Sequence, residues 1–540
     1  MLSASRRVFL ICLAAGTCLV LGPASATSAE FRNEAGALPV AALSWSVPPR
    51  FGPAQFVGSP AKPIIATPNS WEYAHPAVFT VILDACASKA FARTAEGAPA
   101  RIATYQWQGV VAPPPRKVVR PQGGRRPRET DDSTDDNEGP AVTYVYPCRF
   151  SISVPTGSSV TVGLTVTDSL GNVSSPVSQV VAPRDFLIAS LGDSFASGEG
   201  NPDIPQKFNW LGYVEAGAQW ADRRCHRSSN NAGPARAALA VENRDPHTTV
   251  TVIQLACSGA KISAGLLQPY AGVDPIRTDD EKSALCPPVQ PDPSCIPPQI
   301  DQLGAIVGDR KIDALLISIG GNDMGFGTVA SECAMPFNDC RDAMLPVVDE
   351  GLQLAQIRFD DLAKAIEAKL PVESHSVYLT EYPDPTVNAQ GRYARPPGLL
   401  NGLLVREARW ASEYVIAKLN ETVRGAADEH GWTFVDGVGP QFRGPGYGHG
   451  LAAGSERWFN TLEDSFVLQG PVPRLCPLKV ETLAAEAVIG AFKGAFLSAY
   501  AAVCGISNLW AAKSGVGILH PNERGHRAYA DAILEKLVLP

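Results

Sequence analysis

Two hydrophobic patterns divide the chain near residue 183. Before it, residues 77–83 (AVFTVIL), 103–107 (ATYQW) and 158–167 (SSVTVGLTVT) are short stretches rich in Val, Thr, Tyr and Ile. Turn residues such as Asp168-Ser169-Leu170-Gly171-Asn172 separate them. Short strands with this punctuation predict an all-β sandwich over residues 35–183. After the divide, residues 186–191 (FLIASL), 249–255 (TVTVIQL), 314–319 (ALLISI) and 376–380 (SVYLT) are continuous apolar runs. Such runs suit strands buried on both faces of a parallel sheet. Residues 432–435 (WTFV) offer a fifth strand. Residues 352–370 and 403–419 repeat apolar side chains at helical spacing, and residues 526–537 read as a closing helix. Strand and helix in alternation predict an α/β domain with crossover helices over residues 184–540.

Two segments fall outside both patterns. Residues 113–140 carry six basic side chains followed by six acidic ones with almost no apolar residue, which predicts a solvated loop. At the start, Arg6 and Arg7 precede an apolar stretch over residues 8–21 and the small-residue run Ala24-Ser25-Ala26. This is the pattern of a secretory signal over residues 1–26. No later stretch predicts a membrane span; residues 484–503 come nearest, but Glu486 and Lys493 interrupt them.

Composition narrows the classes further. The 540 residues are 45% hydrophobic and 19% charged, ordinary for a globular protein, and the net charge of −8 argues against a nucleic-acid partner. Twelve cysteines are present. Cys12 and Cys18 lie in the signal, and an even ten remain, which in an exported chain predicts disulfides. Close spacing favours Cys286–Cys295 and Cys333–Cys340. Cys225 pairs most simply with Cys257, and Cys476 with Cys504. No CxxC pair occurs and histidines do not cluster with cysteines, so neither a metal nor a cofactor is expected.

The chemistry sits where the apolar runs end. The first run leads into Gly192-Asp193-Ser194, then Phe195-Ala196-Ser197-Gly198-Glu199-Gly200; the second into Cys257-Ser258-Gly259; the third into Gly320-Gly321-Asn322-Asp323. Active groups of open α/β sheets gather beyond these carboxyl ends. Near the chain's end His520-Pro521-Asn522 opens the last helix. Each block alone is a common cap or turn. In this order, the four resemble block by block the SGNH, or GDSL-type, hydrolases over roughly residues 184–540, and GDSFASGEG looks like that family's secreted bacterial esterase and lipase branch.

That resemblance implies a flavodoxin-like three-layer α/β/α fold. It implies Ser194 as nucleophile, His520 as general base, and an oxyanion hole built from the Ser194 and Gly259 N–H groups with the Asn322 amide. Upstream, LDACAS (83–88), YQW (105–107) and LTVTDSLGN (164–172) resemble a polycystic-kidney-disease-type, immunoglobulin-like module, with Cys86 and Cys148 as its staple. The chain departs from the hydrolase pattern at one place: Gly517 occupies the position of the usual aspartate, three residues before His520. A third group must still orient the imidazole. The expectation is the Gly517 main-chain carbonyl, as in some members of that branch; Asp436 and Asp464 are alternative carboxylates. His226 is expected to be structural more often than substrate-binding. Trp458-Phe459-Asn460 and the glycine-rich residues 444–450 are candidates to line a substrate pocket. The expected partner is an ester, the expected state a monomer outside the cytoplasm. Carboxylic-ester hydrolysis is the leading expectation. Carbohydrate O-deacetylation at the same site, with the sandwich holding the polymer, and an adhesin-like protein with a relic site are the alternatives.

Overall fold

The computed structural model describes residues 37–51, 74–109, 147–208, 214–273, 286, 295–334, 339–395, 403–442, 450, 453–469 and 517–540. The predicted signal, the charged loop at 113–140, the glycines at 444–449 and Cys476 and Cys504 lie outside the described residues.

Six strands form before residue 183: β1 (Ser44–Ser46), β2 (Val78–Asp84), β3 (Ile102–Gln108), β4 (Arg149–Pro155), β5 (Val160–Asp168) and β6 (Val177–Val181). They make two antiparallel three-stranded sheets, β1-β2-β4 and β3-β5-β6. Every second residue of β2, namely Phe79, Val81 and Leu83, is buried, as the strand period requires. With Ile152 and Val154 they pack against Val162 and Val181 of the second sheet. The Cys86–Cys148 disulfide ties the end of β2 to the start of β4.

The second unit alternates strand and helix. β7 (Arg184–Gly192) leads into the one-turn α1 (Ser194–Ser197), a small ribbon of β8 (Lys207–Phe208) and β9 (Val214–Ala216), then α2 (Gly233–Glu242) and β10 (Thr248–Gln254). α3 (Gln299–Val307), β11 (Ala314–Ser318), α4 (Phe326–Ala334) and α5 (Cys340–Lys369) follow, then β12 (Val377–Thr380), α6 (Val405–Trp410) and α7 (Ala417–His430). β13 (Thr433–Val435), α8 (Val438–Phe442), α9 (Leu462–Gln469) and α10 (Glu523–Lys536) complete the described strands and α-helices. Asn522 starts α10 by accepting from the Arg524 and Gly525 N–H groups.

The five long-run strands form one parallel sheet in the order β10-β7-β11-β12-β13. Counted within the unit this is 2-1-3-4-5, the flavodoxin-like order, with its switch point between β7 and β11. The apolar runs are explained by two cores. On β7, Leu187, Ala189 and Leu191 face the side covered by α3, α5 and α7; Ile188 faces the side covered by α2 and α10. β11 repeats the division, Leu315 and Ile317 on one side and Ala314 and Leu316 on the other. Four of the expected disulfides are present: Cys86–Cys148, Cys225–Cys257, Cys286–Cys295 and Cys333–Cys340.

The β unit docks at the amino ends of the parallel strands. Val47 N–H donates to the Pro246 carbonyl at 2.8 Å, Trp45 stacks on His247 at 4.0 Å, and the His75 ring meets the Ile306 carbonyl at 2.9 Å. Arg50 and Arg310 pair with the buried Asp185 at the start of β7.

Candidate active site

Ser194 stands just past the end of β7. Gly192 has φ 133°, and a Cβ there would run into the Ser318 carbonyl of β11, so the chain can leave the sheet at this point only without a side chain. Asp193 then starts α1: its Oδ1 accepts from the Phe195 N–H at 3.0 Å, and its Oδ2 accepts from the Tyr382 hydroxyl at 2.5 Å. Burial pushes the Asp193 carboxyl up to about 7, against the stabilising Tyr382 and Phe195 bonds.

The structure brings His520 to Ser194. Nε2 lies 2.7 Å from the Ser194 Oγ, and both residues are 7% exposed. Nδ1 lies 2.9 Å from the main-chain oxygen of Ile518. The expectation for Gly517 is therefore corrected by one residue, and the cause is a turn. The Gly517 carbonyl accepts the His520 main-chain N–H at 3.4 Å, closing a β-turn over 517–520. Leu519, the third residue of that turn, has φ 65°. Left-handed backbone at this position is the type II geometry, in which the central peptide is flipped. The flipped peptide carries the Ile518 carbonyl and presents it to the ring. Asp436 pairs with Lys536 and Arg424, and Asp464 with Arg457, so neither meets the imidazole. Burial lowers the His520 pKa, with Glu199 and the Ile518 and Gly517 carbonyls acting in the opposite sense, and the net shift favours the neutral ring that a general base requires.

Two neighbouring loops face the pair. Gly259 has φ 79°, and a Cβ there would strike the Tyr270 hydroxyl, which donates to the Ser258 carbonyl at 2.9 Å. The Ser194 and Gly259 N–H groups meet no protein acceptor among the described residues. One N–H of the Asn322 amide donates to the Ala260 carbonyl at 3.0 Å, which ties the third strand's loop to the second's. The Gly259 loop is braced by the Cys225–Cys257 disulfide, by Ser258 N–H donating to the Cys225 carbonyl, and by buried Arg227 donating to the Leu255 and Ala256 carbonyls.

Several residues carry structure that the sequence did not assign. Tyr382 bridges two blocks, since its hydroxyl also accepts the Gly321 N–H at 3.1 Å. Glu199 is fully buried and accepts from His226 Nδ1 at 3.0 Å. The GEG tripeptide was its only signal. His226 stacks on Trp220 at 4.9 Å. Phe459 belongs to the α2/α10 core rather than to a pocket wall, and Asn460 holds the His520 loop by donating its main-chain N–H to the His520 carbonyl at 2.9 Å. A cavity of about 750 Å³ borders Asn201, Asn231, Arg236, Arg457, Asn460 and Asn522, but neither Ser194 nor His520 lines it. Asp360, Glu429 and His430 gather on the outer α5/α7 face, where His430 pairs with Asp360 at 3.2 Å; they are remote in the fold from Ser194. No described helix is long and apolar enough to cross a membrane.

The parallel sheet carries at its switch point a serine in hydrogen-bond contact with a histidine, an arrangement chemically able to perform acyl transfer. The chain belongs to the GDSL-like Lipase/Acylhydrolase family: the family model matches residues 190–466, more than half of the sequence. His520 lies beyond that match, so its assignment rests on geometry. Similar solved structures include an extracellular lipase from Streptomyces rimosus, at 18% identity over 65% of this chain and 100% of that one, TM-score 0.38. A phospholipase A1 from Streptomyces albidoflavus NA297 is similar at 17% identity over 65% and 99%, TM-score 0.36. An active-site mutant of a family two carbohydrate esterase from Clostridium thermocellum aligns at 11% identity over 73% and 80%, TM-score 0.27. Among curated proteins none matches.

Proposed function

We propose that this protein is a secreted serine esterase or lipase that hydrolyses carboxylic esters through a Ser194–His520 dyad. The observation that carries the proposal is the 2.7 Å contact between His520 Nε2 and Ser194 Oγ, with Nδ1 held at 2.9 Å by the Ile518 carbonyl. In this reading Nδ1–H is fixed on the carbonyl and the Nε2 lone pair faces the serine. Ser194 Oγ attacks the ester carbonyl as its proton passes to Nε2. The N–H groups of Ser194 and Gly259, with the second N–H of Asn322, receive the oxyanion, each such donor being worth about 10²–10³ in turnover. His520 returns the proton to the leaving alcohol, and water repeats the sequence to release the acid. Export is supported by the leader pattern and by four disulfides. The β unit before residue 183 is proposed as an accessory module of the polycystic-kidney-disease type, separate from the hydrolase unit at 184–540.

A fluorophosphonate probe should label the wild type at Ser194, and Ser194→Ala should abolish both labelling and hydrolysis of p-nitrophenyl esters. Labelling that persists at another serine sinks the assignment. A panel of short-chain, long-chain and acetylated-sugar esters then separates esterase, lipase and O-deacetylase activity.

A further inference from the structure

The turn that presents the Ile518 carbonyl to His520 supplies a hydrogen bond but no negative charge. Yet the reaction proposed above makes an imidazolium in a site that water scarcely reaches. An uncompensated charge at such depth is costly. One buried carboxylate stands against this turn. Glu199 lies five residues after the nucleophile and its main-chain N–H donates to the Ser194 carbonyl at 3.1 Å. The next residue, Gly200, packs on Gly517: a Cβ built on Gly517 would lie 2.9 Å from Gly200 Cα and 3.0 Å from Gln469 Nε2. Gln469 fastens the three pieces together. Its Nε2 donates to Glu199 Oε1 at 2.8 Å, and its Oε1 accepts the Gly200 N–H at 3.0 Å.

The partners of Glu199 are unusual for a buried acid. Asp185 and Asp323, also buried, are each matched by arginine: Arg50 and Arg310 for the first, Arg358 for the second. Among the described residues no arginine or lysine pairs with Glu199. Its ionisable neighbours are His226, whose Nδ1 lies 3.0 Å from both carboxylate oxygens, His520 and Tyr270. Burial resists its charge, but His226 and His520 outweigh burial and hold the carboxyl below its usual value. The α10 residue His526 accepts the Gly233 N–H, and its charge would oppose that of His520; Asp193 turns towards Tyr382.

We infer that Glu199, clamped by His226 and Gln469, is a positioning residue that supplies through space the negative charge missing at position 517. Glu199 takes no proton: the proton of Ser194 Oγ moves to His520 Nε2 and on to the leaving alcohol, while the carboxylate steadies the imidazolium between the two transfers. The inference rests on the Ser194–His520 reading. His226 and Trp220 serve the site by holding the carboxylate rather than by touching substrate.

The test is the pH dependence of kcat/KM for a p-nitrophenyl ester, with the rate of fluorophosphonate inactivation measured in parallel because it counts only competent molecules. Glu199→Gln keeps the shape and removes the charge. The midpoint of the acid limb, where His520 loses its proton, should fall by about one unit. The plateau kcat should fall about tenfold or more with KM little changed. Glu199→Asp should keep the wild-type midpoint. A Gln variant with an unmoved midpoint overturns the inference, whether or not its rate falls, since a purely structural role costs rate without retuning the ring. If the Gln variant does not accumulate, the Asp variant decides, and a midpoint displaced downward despite the retained charge overturns the inference. A wild type that the probe does not label would instead refute the serine reading itself.

Discussion

Replacing Tyr382 by Phe removes a single oxygen from a buried junction beside Ser194. That hydroxyl donates to Asp193 Oδ2 at 2.5 Å and accepts the Gly321 N–H at 3.1 Å. Asp193 caps the helix that begins with Ser194, and Gly321 precedes Asn322, so one side chain sets the spacing of two loops of the proposed site. Above pH 7 Asp193 is ionised, and a hydrogen bond to a charged group is worth about 1.5–3 kcal/mol. The orphaned Gly321 N–H adds about 1–3 kcal/mol. Together the loss should be about 2.5–6 kcal/mol at pH 8. The sign with pH follows from Asp193. Its folded pKa, raised by burial to about 7, exceeds the unfolded value of 3.8. The folded protein therefore binds a proton that the unfolded chain releases between these values, and this contribution to stability declines as pH rises through that window. At pH 5.5 the acid is protonated in both proteins and the lost bond is a neutral one, worth about 0.5–1.5 kcal/mol. The cost of Tyr382→Phe should thus be about 1–2 kcal/mol smaller at pH 5.5 than at pH 8. Guanidinium denaturation at the two pH values, followed by tryptophan fluorescence, measures it, and ester turnover should fall mainly in kcat. A pH-independent cost below about 1 kcal/mol with turnover intact would refute the reasoning.

Two further outcomes are expected. His526 Nδ1 accepts the Gly233 N–H at 3.1 Å, and burial, with Arg236 and His520, lowers its pKa to about 3, so its contribution to stability is complete above pH 6.5 and is lost as pH falls, by up to about 1.4 kcal/mol per unit; denaturation midpoints of His526→Asn should show a shallower acid slope, and an unchanged slope counts against a neutral buried ring. Replacing Cys225 and Cys257 by Ser frees both the Gly259 loop and the His226 support and should cut turnover at least tenfold, whereas the same change at Cys86 and Cys148 should lower the stability of the β unit and leave kcat unaltered; equal losses would contradict the placement of the two bridges.

The parallel strands were legible because burial on both faces leaves continuous apolar runs, and the runs at 186–191, 249–255 and 314–319 fall on β7, β10 and β11. α2 was missed: its alanine-rich sequence, GPARAALAVE, has little contrast between faces because it lies almost wholly buried between the sheet and α10. The residues of the four blocks stood out because they fall where β7, β10 and β11 end and where α10 begins. The orienting carbonyl was misplaced by one residue because any residue has a carbonyl, and only the left-handed Leu519 decides which one turns to the ring. Leucine carries no sign of that conformation. Glu199, Arg227 and Tyr382 were not assigned because their roles come from contacts 27, 29 and 189 residues away along the chain.

The docking of the β unit limits what it can do for catalysis. Its contacts through Val47, Arg50 and His75 all fall at the amino ends of the strands, around Asp185, Pro246 and Ile306. The proposed chemistry lies at the carboxyl ends. Asp185 and Gly192 are seven steps apart on β7, and at about 3.3 Å per residue the two ends are ~23 Å apart. A side chain of the docked face cannot reach a substrate bound at Ser194. If the unit takes part in substrate capture, it must act by holding a long or surface-bound substrate near the enzyme, which raises local concentration without changing the chemical step. Any benefit would then appear on extended substrates and vanish on small soluble esters. The buried Asp185–Arg50–Arg310 cluster gives the docking its own electrostatic cost, because an arginine removed there leaves Asp185 under-compensated at the root of the strand that leads to Ser194. The two units are thus coupled through stability at the base of β7, even though among the described residues only the second lines the proposed site.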